Sequence, residues 1–311
     1  FSYNAGIRIE QMSRNLLLRD KANTIDDTRN YAFTKAYPSA LINYEISDNT
    51  NVKLAYSKRV VRTTTFKMNP FPEREHAETL EQGDPDLRPE FIDLIEFGIN
   101  KKLSDENSFF ATAYYRSTTN VVNRVNNVYS DNILNRIYSN VGDAKTFGVE
   151  FGTQLKLTAK SVAFIGGNIY HYDLNGSFDN NPVNTNTSVY SFNANANYRF
   201  WENATLQFSI NYISDRVTAQ GKDSRYYTPN LSIQKSFLNE KLKATLQWLN
   251  IDMGLLDTNE QRITTWRENE FYTTTNYIYE VDMITLNLSY TFQNGKNRSR
   301  FIESEFGKRE F

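Results

Sequence analysis

The chain of 311 residues contains no cysteine, two histidines and seven prolines. Without cysteine there is no disulfide framework, no thiolate nucleophile and no thiolate metal site. With only His76 and His171, acid–base and metal chemistry have few candidates. No stretch approaches the ~20 consecutive apolar residues of a membrane-spanning helix. Charge of one sign is lacking too: Lys plus Arg number 35 against 36 for Asp plus Glu, so nothing electrostatic points to a nucleic-acid partner. The opening residues Phe1-Ser2-Tyr3-Asn4-Ala5-Gly6 have no basic segment followed by an apolar one, which is what a secretory signal requires. The expectation is that a leader has been removed or that the chain begins within a longer protein.

Aromatic residues are abundant, with 20 Tyr and 21 Phe, although mean hydropathy is only −0.61. Such a chain either stays in water or crosses a bilayer as strands. Period-2 alternation, which puts successive side chains on opposite faces of a strand, favours strands. Phe192, Ala194, Ala196, Tyr198 and Phe200 interleave with Ser191, Asn193, Asn195, Asn197 and Arg199. After Trp201-Glu202-Asn203 the pattern resumes with Leu206, Phe208, Ile210 and Tyr212 against Thr205, Gln207, Ser209 and Asn211. These two segments are expected to form a hairpin. Similar alternation starts at Tyr3, Ala40, Val52, Val149, Leu242 and Leu286. With four less regular segments the count is about twelve strands, most longer than the ~9–11 residues needed to cross a bilayer.

The expected connections alternate in length. Ser47–Thr50, Ser104–Asn107, Thr158–Lys160, Trp201–Asn203 and Leu238–Glu240 read as tight turns. Gln11–Lys35, Arg62–Glu90, Asn120–Asn132, Asn175–Asn186, Ser214–Arg225 and Asp252–Glu270 read as long polar loops. Short periplasmic turns and long extracellular loops are the asymmetry of outer-membrane barrels. A soluble sandwich or propeller would also alternate along its strands, but gives no reason for loop lengths to alternate by side. The fold expected is all-β, an antiparallel transmembrane β-barrel over residues 1–292, with a periplasmic tail at 293–311. Arg8, Glu10, Lys53, Glu150, Gln154, Arg199, Gln207 and Lys243 should face the lumen, and Phe192, Tyr198, Phe208, Ile210, Trp248 and Leu288 the lipid.

Ala40-Leu41-Ile42-Asn43-Tyr44, Leu54-Ala55-Tyr56-Ser57-Lys58-Arg59 and Met68-Asn69-Pro70-Phe71 resemble the outer-membrane β-barrel family related to TonB-dependent receptors. Gly83-Asp84-Pro85-Asp86-Leu87-Arg88-Pro89-Glu90 is similar to the family's Gly-Asn-Pro-x-Leu-x-Pro-Glu signature, and Tyr138-Ser139-Asn140-Val141-Gly142 with Phe147-Gly148-Val149-Glu150 to its Asn-x-Gly and Gly-x-Glu strand. Leu288-Ser289-Tyr290-Thr291-Phe292, and a tail ending on Phe311, are also like the family's close. Where the family often has Arg-Pro after the strand carrying Arg59, this chain has Arg62-Thr63. The resemblance implies the C-terminal part of a barrel of up to 22 strands in the bacterial outer membrane. It further implies energised nutrient uptake, with a plug domain and TonB as partners through regions outside this chain. Tyr290 and Phe292 then read as a signal to the barrel assembly machinery. The alternative is a self-contained small barrel acting as a passive channel or surface scaffold, and a surface lipoprotein over the loops stays open as a partner.

Candidate chemistry is sparse, and neither enzymatic activity nor a cofactor is expected. His171, between Tyr170 and Tyr172, could belong to a Ser-His-Asp set, but no serine motif accompanies it. The carboxylates from Glu73 to Glu90 could bind Ca²⁺, yet lack the order of a calcium loop. Arg62, Arg74, His76 and Arg88 are the expected ligand-loop residues. Tyr272, Tyr277 and Tyr279 with Trp266 read either as a ligand site outside the membrane or as an extended strand above it. A parity shift between Met283 and Ile284 suggests a bulge.

Overall fold

The computed structural model describes residues 1–20, 26–76, 78–130, 133–254 and 260–292, without the side chains of 75 and 76. The strands are β1 (Ser2–Arg19), β2 (Asp26–Ser47), β3 (Thr50–Val61), β4 (Glu73–His76), β5 (Thr79–Gln82), β6 (Glu90–Lys102), β7 (Ser108–Ser130), β8 (Ile133–Thr158) and β9 (Ser161–Phe178). They continue with β10 (Asn181–Trp201), β11 (Ala204–Ile213), β12 (Arg216–Thr218), β13 (Gly221–Asp223), β14 (Tyr226–Phe237), β15 (Leu242–Leu249), β16 (Glu260–Arg267), β17 (Phe271–Ile278) and β18 (Met283–Tyr290). Twelve of them pair antiparallel in the order β1-β2-β3-β6-β7-β8-β9-β10-β11-β14-β15-β18. This is an up-and-down wall; among the described residues β1 and β18 do not pair with each other.

Side chains of directly opposed residues share a face, so the register fixes the two sides of this wall. Phe192 opposes Tyr212, Ala196 opposes Phe208, and Phe208 opposes Leu231. Leu231 opposes Trp248, and Ala244 opposes Leu288. In the other direction Ile165 opposes Thr153, Phe97 opposes Ala113, Leu54 opposes Phe97, and Ile42 opposes both Leu54 and Tyr3. One face is therefore apolar from β1 to β18.

Tyr44, Phe109, Tyr198, Phe237 and Tyr290 lie toward one margin of that face, and Tyr56, Tyr115, Phe147, Tyr190 and Tyr212 toward the other. From Tyr44 to Tyr290 the first line slips against the rows of opposed residues by about one residue per strand, the stagger that accompanies barrel closure, whereas the second keeps to one row from Tyr56 through Tyr115 to Phe147 and slips only beyond it. At about 3.3 Å per residue and 4.8 Å between strands, that slip corresponds to a tilt of about 35°. Tyr190 and Tyr198 on β10 are eight residues apart, roughly 26 Å along the strand and about 20 Å after tilting. The apolar band of an outer-membrane barrel is about 25 Å tall, so the dimensions agree.

The tight turns fall at one end of the wall, where expected. Leu238, Asn239 and Glu240 turn with φ of 55°, 54° and 67°. The other end differs from expectation. Of the six segments read as loops, Gln11–Lys35, Asn120–Asn132 and Asn175–Asn186 are mostly continuations of β1–β2, β7–β8 and β9–β10. The remaining three carry β4–β5, β12–β13 and β16. β8 has 26 residues, about 85 Å of strand, so more than half of it lies outside a bilayer. The alternation that marks a strand with one face in lipid disappears once both faces leave lipid. The expected bulge near Met283 is also corrected: β18 pairs with β15 in unbroken register. The parity shift instead marks the passage from β17 into a different sheet, through Asp282 at φ 50°.

The buried core lies among these extensions. Val121, Val125, Val141, Ala144, Leu174 and Val183 form a buried cluster with Tyr172, Phe178 and Ala219 packed against it. A barrel wall turns its apolar side chains to lipid, so a dry protein core is expected only where strands stack on one another. The extensions form such a layer, and its hydrophobic packing holds it as a cap.

Candidate functional site

On the polar face, the register places Arg8, Glu10, Lys53, Glu150, Gln154, Arg199, Gln207 and Lys243 on one side. Phe192, Tyr198, Phe208, Ile210, Trp248 and Leu288 share the other. Glu10 binds Arg8 at 2.9 Å and also Arg62, while the Arg8 guanidinium lies 5.2 Å from the ring centre of buried Tyr37. Glycines give this face its close contacts. A Cβ on Gly98 would strike the Lys53 side chain, and one on Gly148 or Gly152 would strike the Tyr114 or Phe110 ring. Tyr114 donates to Asn168 at 3.0 Å across β8.

Two signatures separated in sequence meet at the cap. Asn140 Oδ1 accepts the Arg88 N–H at 2.8 Å, and Asn140 Nδ2 donates to the Arg88 carbonyl at 3.0 Å and to the Asn120 carbonyl at 2.7 Å. Asn120 Nδ2 donates to the Pro89 carbonyl at 3.2 Å, and Glu90 Oε1 accepts the Val122 N–H at 2.7 Å. Leu87 and Pro89 are fully buried beneath these contacts. Burial also raises the Asp84 carboxyl above its ordinary pKa, although Asp84 accepts the Asp86 N–H at 2.8 Å. From β1, Arg14 donates to Thr63 and Met68 and to the carbonyls of Pro85 and Leu87 at 3.2 and 2.9 Å. Nothing in the sequence singles out Arg14, which stands in a polar stretch without alternation.

The β4–β5 hairpin completes one flank. β5 pairs in parallel with residues 134–137 of β8, an edge that β9 leaves free because its pairing with β8 begins at Gly142. On the other flank is a four-stranded sheet ordered β12-β13-β16-β17. Gln220 acts there as a strand mimic, accepting the Asn126 N–H at 2.6 Å and donating to its carbonyl at 2.8 Å. Asn126 Nδ2 donates to Thr265 at 2.8 Å, Thr185 to the Thr218 carbonyl at 3.0 Å, and Arg267 to Asp179 at 3.0 Å. The cap is thus tied together from β1 to β17.

Among the expected ligand-loop residues, Arg62 is committed to Glu10 in β1, and Arg88 has its main chain held by Asn140 in β8. Arg74 lies in β4, and the His76 side chain is outside the described residues. The carboxylates between Glu73 and Glu90 are dispersed: Asn69 donates to Glu73, Arg124 lies 3.9 Å from Glu81, and Glu90 accepts from Val122. Among the described residues no His, Asp or Glu cluster gathers as metal ligands. His171 shares a hydrogen bond with Ser188 across β9 and β10, at 3.1 Å on the exposed apolar-parity face. Tyr290 and Phe292 touch edge-on with ring centres 4.8 Å apart, and the tail 293–311 lies outside the described residues.

A tilted antiparallel wall with an apolar outer band and a polar inner face defines an outer-membrane β-barrel. The chain belongs to the outer membrane protein beta-barrel family, whose model matches residues 1–290. No protein of curated function matches it. Solved structures similar in fold include the ferric yersiniabactin uptake receptor FyuA from Yersinia pestis, at 13% identity and TM-score 0.59, covering 92% of this chain and 42% of that one. An FrpB iron transporter from Neisseria meningitidis is similar at 12% identity and TM-score 0.60, covering 93% and 43%. The siderophore receptor PiuA from Acinetobacter baumannii is similar at 12% identity and TM-score 0.59, covering 93% and 40%. The chain spans less than half the length of each of these structures. Its place is the bacterial outer membrane.

Proposed function

We propose that this chain forms the C-terminal wall and surface cap of an energised outer-membrane receptor that imports a scarce nutrient. The observation that carries the reading is the cap: a layer with its own buried core, clamped across six pairs of strand ends. A passive pore has no need of so ordered a surface layer, whereas a receptor needs preformed walls to capture ligand before transport. The apolar face then meets lipid, and the polar face with Arg8, Glu10, Lys53 and Glu150 encloses a plug domain. Among the described residues β1 and β18 each have an unpaired edge, which supports a wall continued by further strands over a closed barrel of twelve. In this reading plug rearrangement driven by TonB opens the path, and Tyr290 with Phe292 addresses the assembly machinery.

The test is uptake in native cells under nutrient limitation, comparing the intact strain with strains lacking this receptor or lacking TonB. Equal loss of growth or uptake in both deletions is expected. Uptake through this receptor that persists without TonB would replace the energised reading with that of a passive channel.

A further inference from the structure

The outward sheet β12-β13-β16-β17 carries a feature that the receptor reading leaves unused. Trp266 and Tyr272 oppose each other directly across β16 and β17, so both rings rise from one face. They are 45% and 75% exposed, a large apolar area to leave in water. Beside them Thr264 and Thr274 oppose each other with hydroxyl oxygens 3.1 Å apart, and Lys222 lies opposite Thr264. Trp266, Tyr272, Thr264 and Lys222 border an open hollow of about 740 Å³ with Asp215, Ser224, Arg262 and the turn 267–271. Small-ligand sites usually measure about 300–1,000 Å³.

The charges around the hollow decide which ligand suits it. It contains Lys222, Arg262 and Arg267, balanced in number by Asp215, Glu268 and Glu270. The cations have acidic partners within the sheet or its neighbours: Lys222 with Asp215 at 4.0 Å, Arg262 with Glu260 at 3.1 Å, and Arg267 with both Asp179 and Glu270 at 3.0 Å. An anion bound here would have to compete with these carboxylates. A neutral polyhydroxylated molecule would not, because its hydroxyls can accept from Lys222 and Arg262 and donate to Asp215, Glu268 and Thr264. Its C–H faces would cover the two rings, which stay amphipathic and rigid.

We propose that the Trp266–Tyr272 face of the cap binds a neutral oligosaccharide, with the two rings as its platform and the paired charges as its hydrogen-bonding rim. The inference rests on the receptor reading only in placing this sheet at the cell surface, and it concerns binding rather than transport.

The experiment uses the full-length receptor purified in detergent and a glycan array containing neutral and acidic oligosaccharides. Binding to at least one neutral oligosaccharide is expected, at least tenfold weaker in Tyr272→Ala, close to the parent in Tyr272→Phe, and little changed between ~50 and ~500 mM salt, a range over which exposed charges become screened. Trp266→Phe should retain part of the binding that Trp266→Ala loses. No binding to any neutral sugar overturns the proposal, as does binding confined to sulfated or uronic glycans that falls with salt and with Lys222→Gln. Neutral-sugar binding that Tyr272→Ala leaves unchanged also overturns it, because the sugar then sits elsewhere. Since the array reads binding alone, a failed TonB test leaves this result standing, and the reverse also holds.

Discussion

Asn140 grips the main chain of Arg88 from both sides, accepting its N–H at 2.8 Å and donating to its carbonyl at 3.0 Å. A side-chain amide can do this because it carries donor and acceptor on one plane, as a neighbouring strand would. The contact joins two family signatures, the turn Gly83–Glu90 and the strand around Gly142, that lie 52 residues apart at these two positions.

Asn140→Ala should therefore free the Gly83–Glu90 turn while leaving the wall intact. The expected cost is ~1–3 kcal/mol, given several hydrogen bonds of modest net worth each. Amide exchange should accelerate at residues 86–90 and remain slow in β9 and β10. Asn140→Asp should be no remedy, since it sets a carboxylate against the Arg88 and Asn120 carbonyls.

Gly142 and Gly176 face each other where β8 and β9 begin to pair. Gly142 has φ +140°, and a Cβ at Gly176 would run into the Val141 carbonyl oxygen. Gly176→Ala should disorder the Val141–Leu174 part of the cap core and expose it to protease from the cell surface. Gly6→Ala, whose nearest neighbour would be a Ser39 hydroxyl at 3.5 Å, should behave as the parent.

Asp84 gives the cap turn a pH dependence. Burial raises its pKa, so the folded turn binds a proton more tightly than the unfolded chain does. The linked stability is fully present below the ordinary carboxylate pKa of about 4 and is lost as pH rises through the raised value. Protection of the 83–90 amides should thus decline across that interval. Asp84→Asn keeps an acceptor for the Asp86 N–H and should flatten the decline.

The wall was legible because lipid on one side enforces alternation, as Phe192 to Phe200 shows, and short turns mark one end. The cap was not, because that constraint ends where the strands leave the bilayer. Residues 121–130 read as a polar loop, yet Val121 and Val125 are buried in the cap core. The signatures identified the segments carrying Arg88 and Asn140 but not their contact, which depends on strand order. Arg14, Asn126 and Gln220 act through partners at least 49 residues away, beyond any local pattern.

The central claim is a membrane wall with its apolar register turned to lipid, and adjacent residues on β11 test it most directly. Phe208 opposes Ala196 and Leu231 on the apolar face, while Gln207 opposes Asn197 and Ser232 on the polar one. Folding yield of the full-length protein into bilayer vesicles should fall for Phe208→Arg, since a lipid-facing arginine near mid-bilayer costs ~2–4 kcal/mol. Gln207→Arg should fold as the parent does. Equal yields for the two variants, or a loss confined to Gln207→Arg, would contradict the facing and with it the account of the wall.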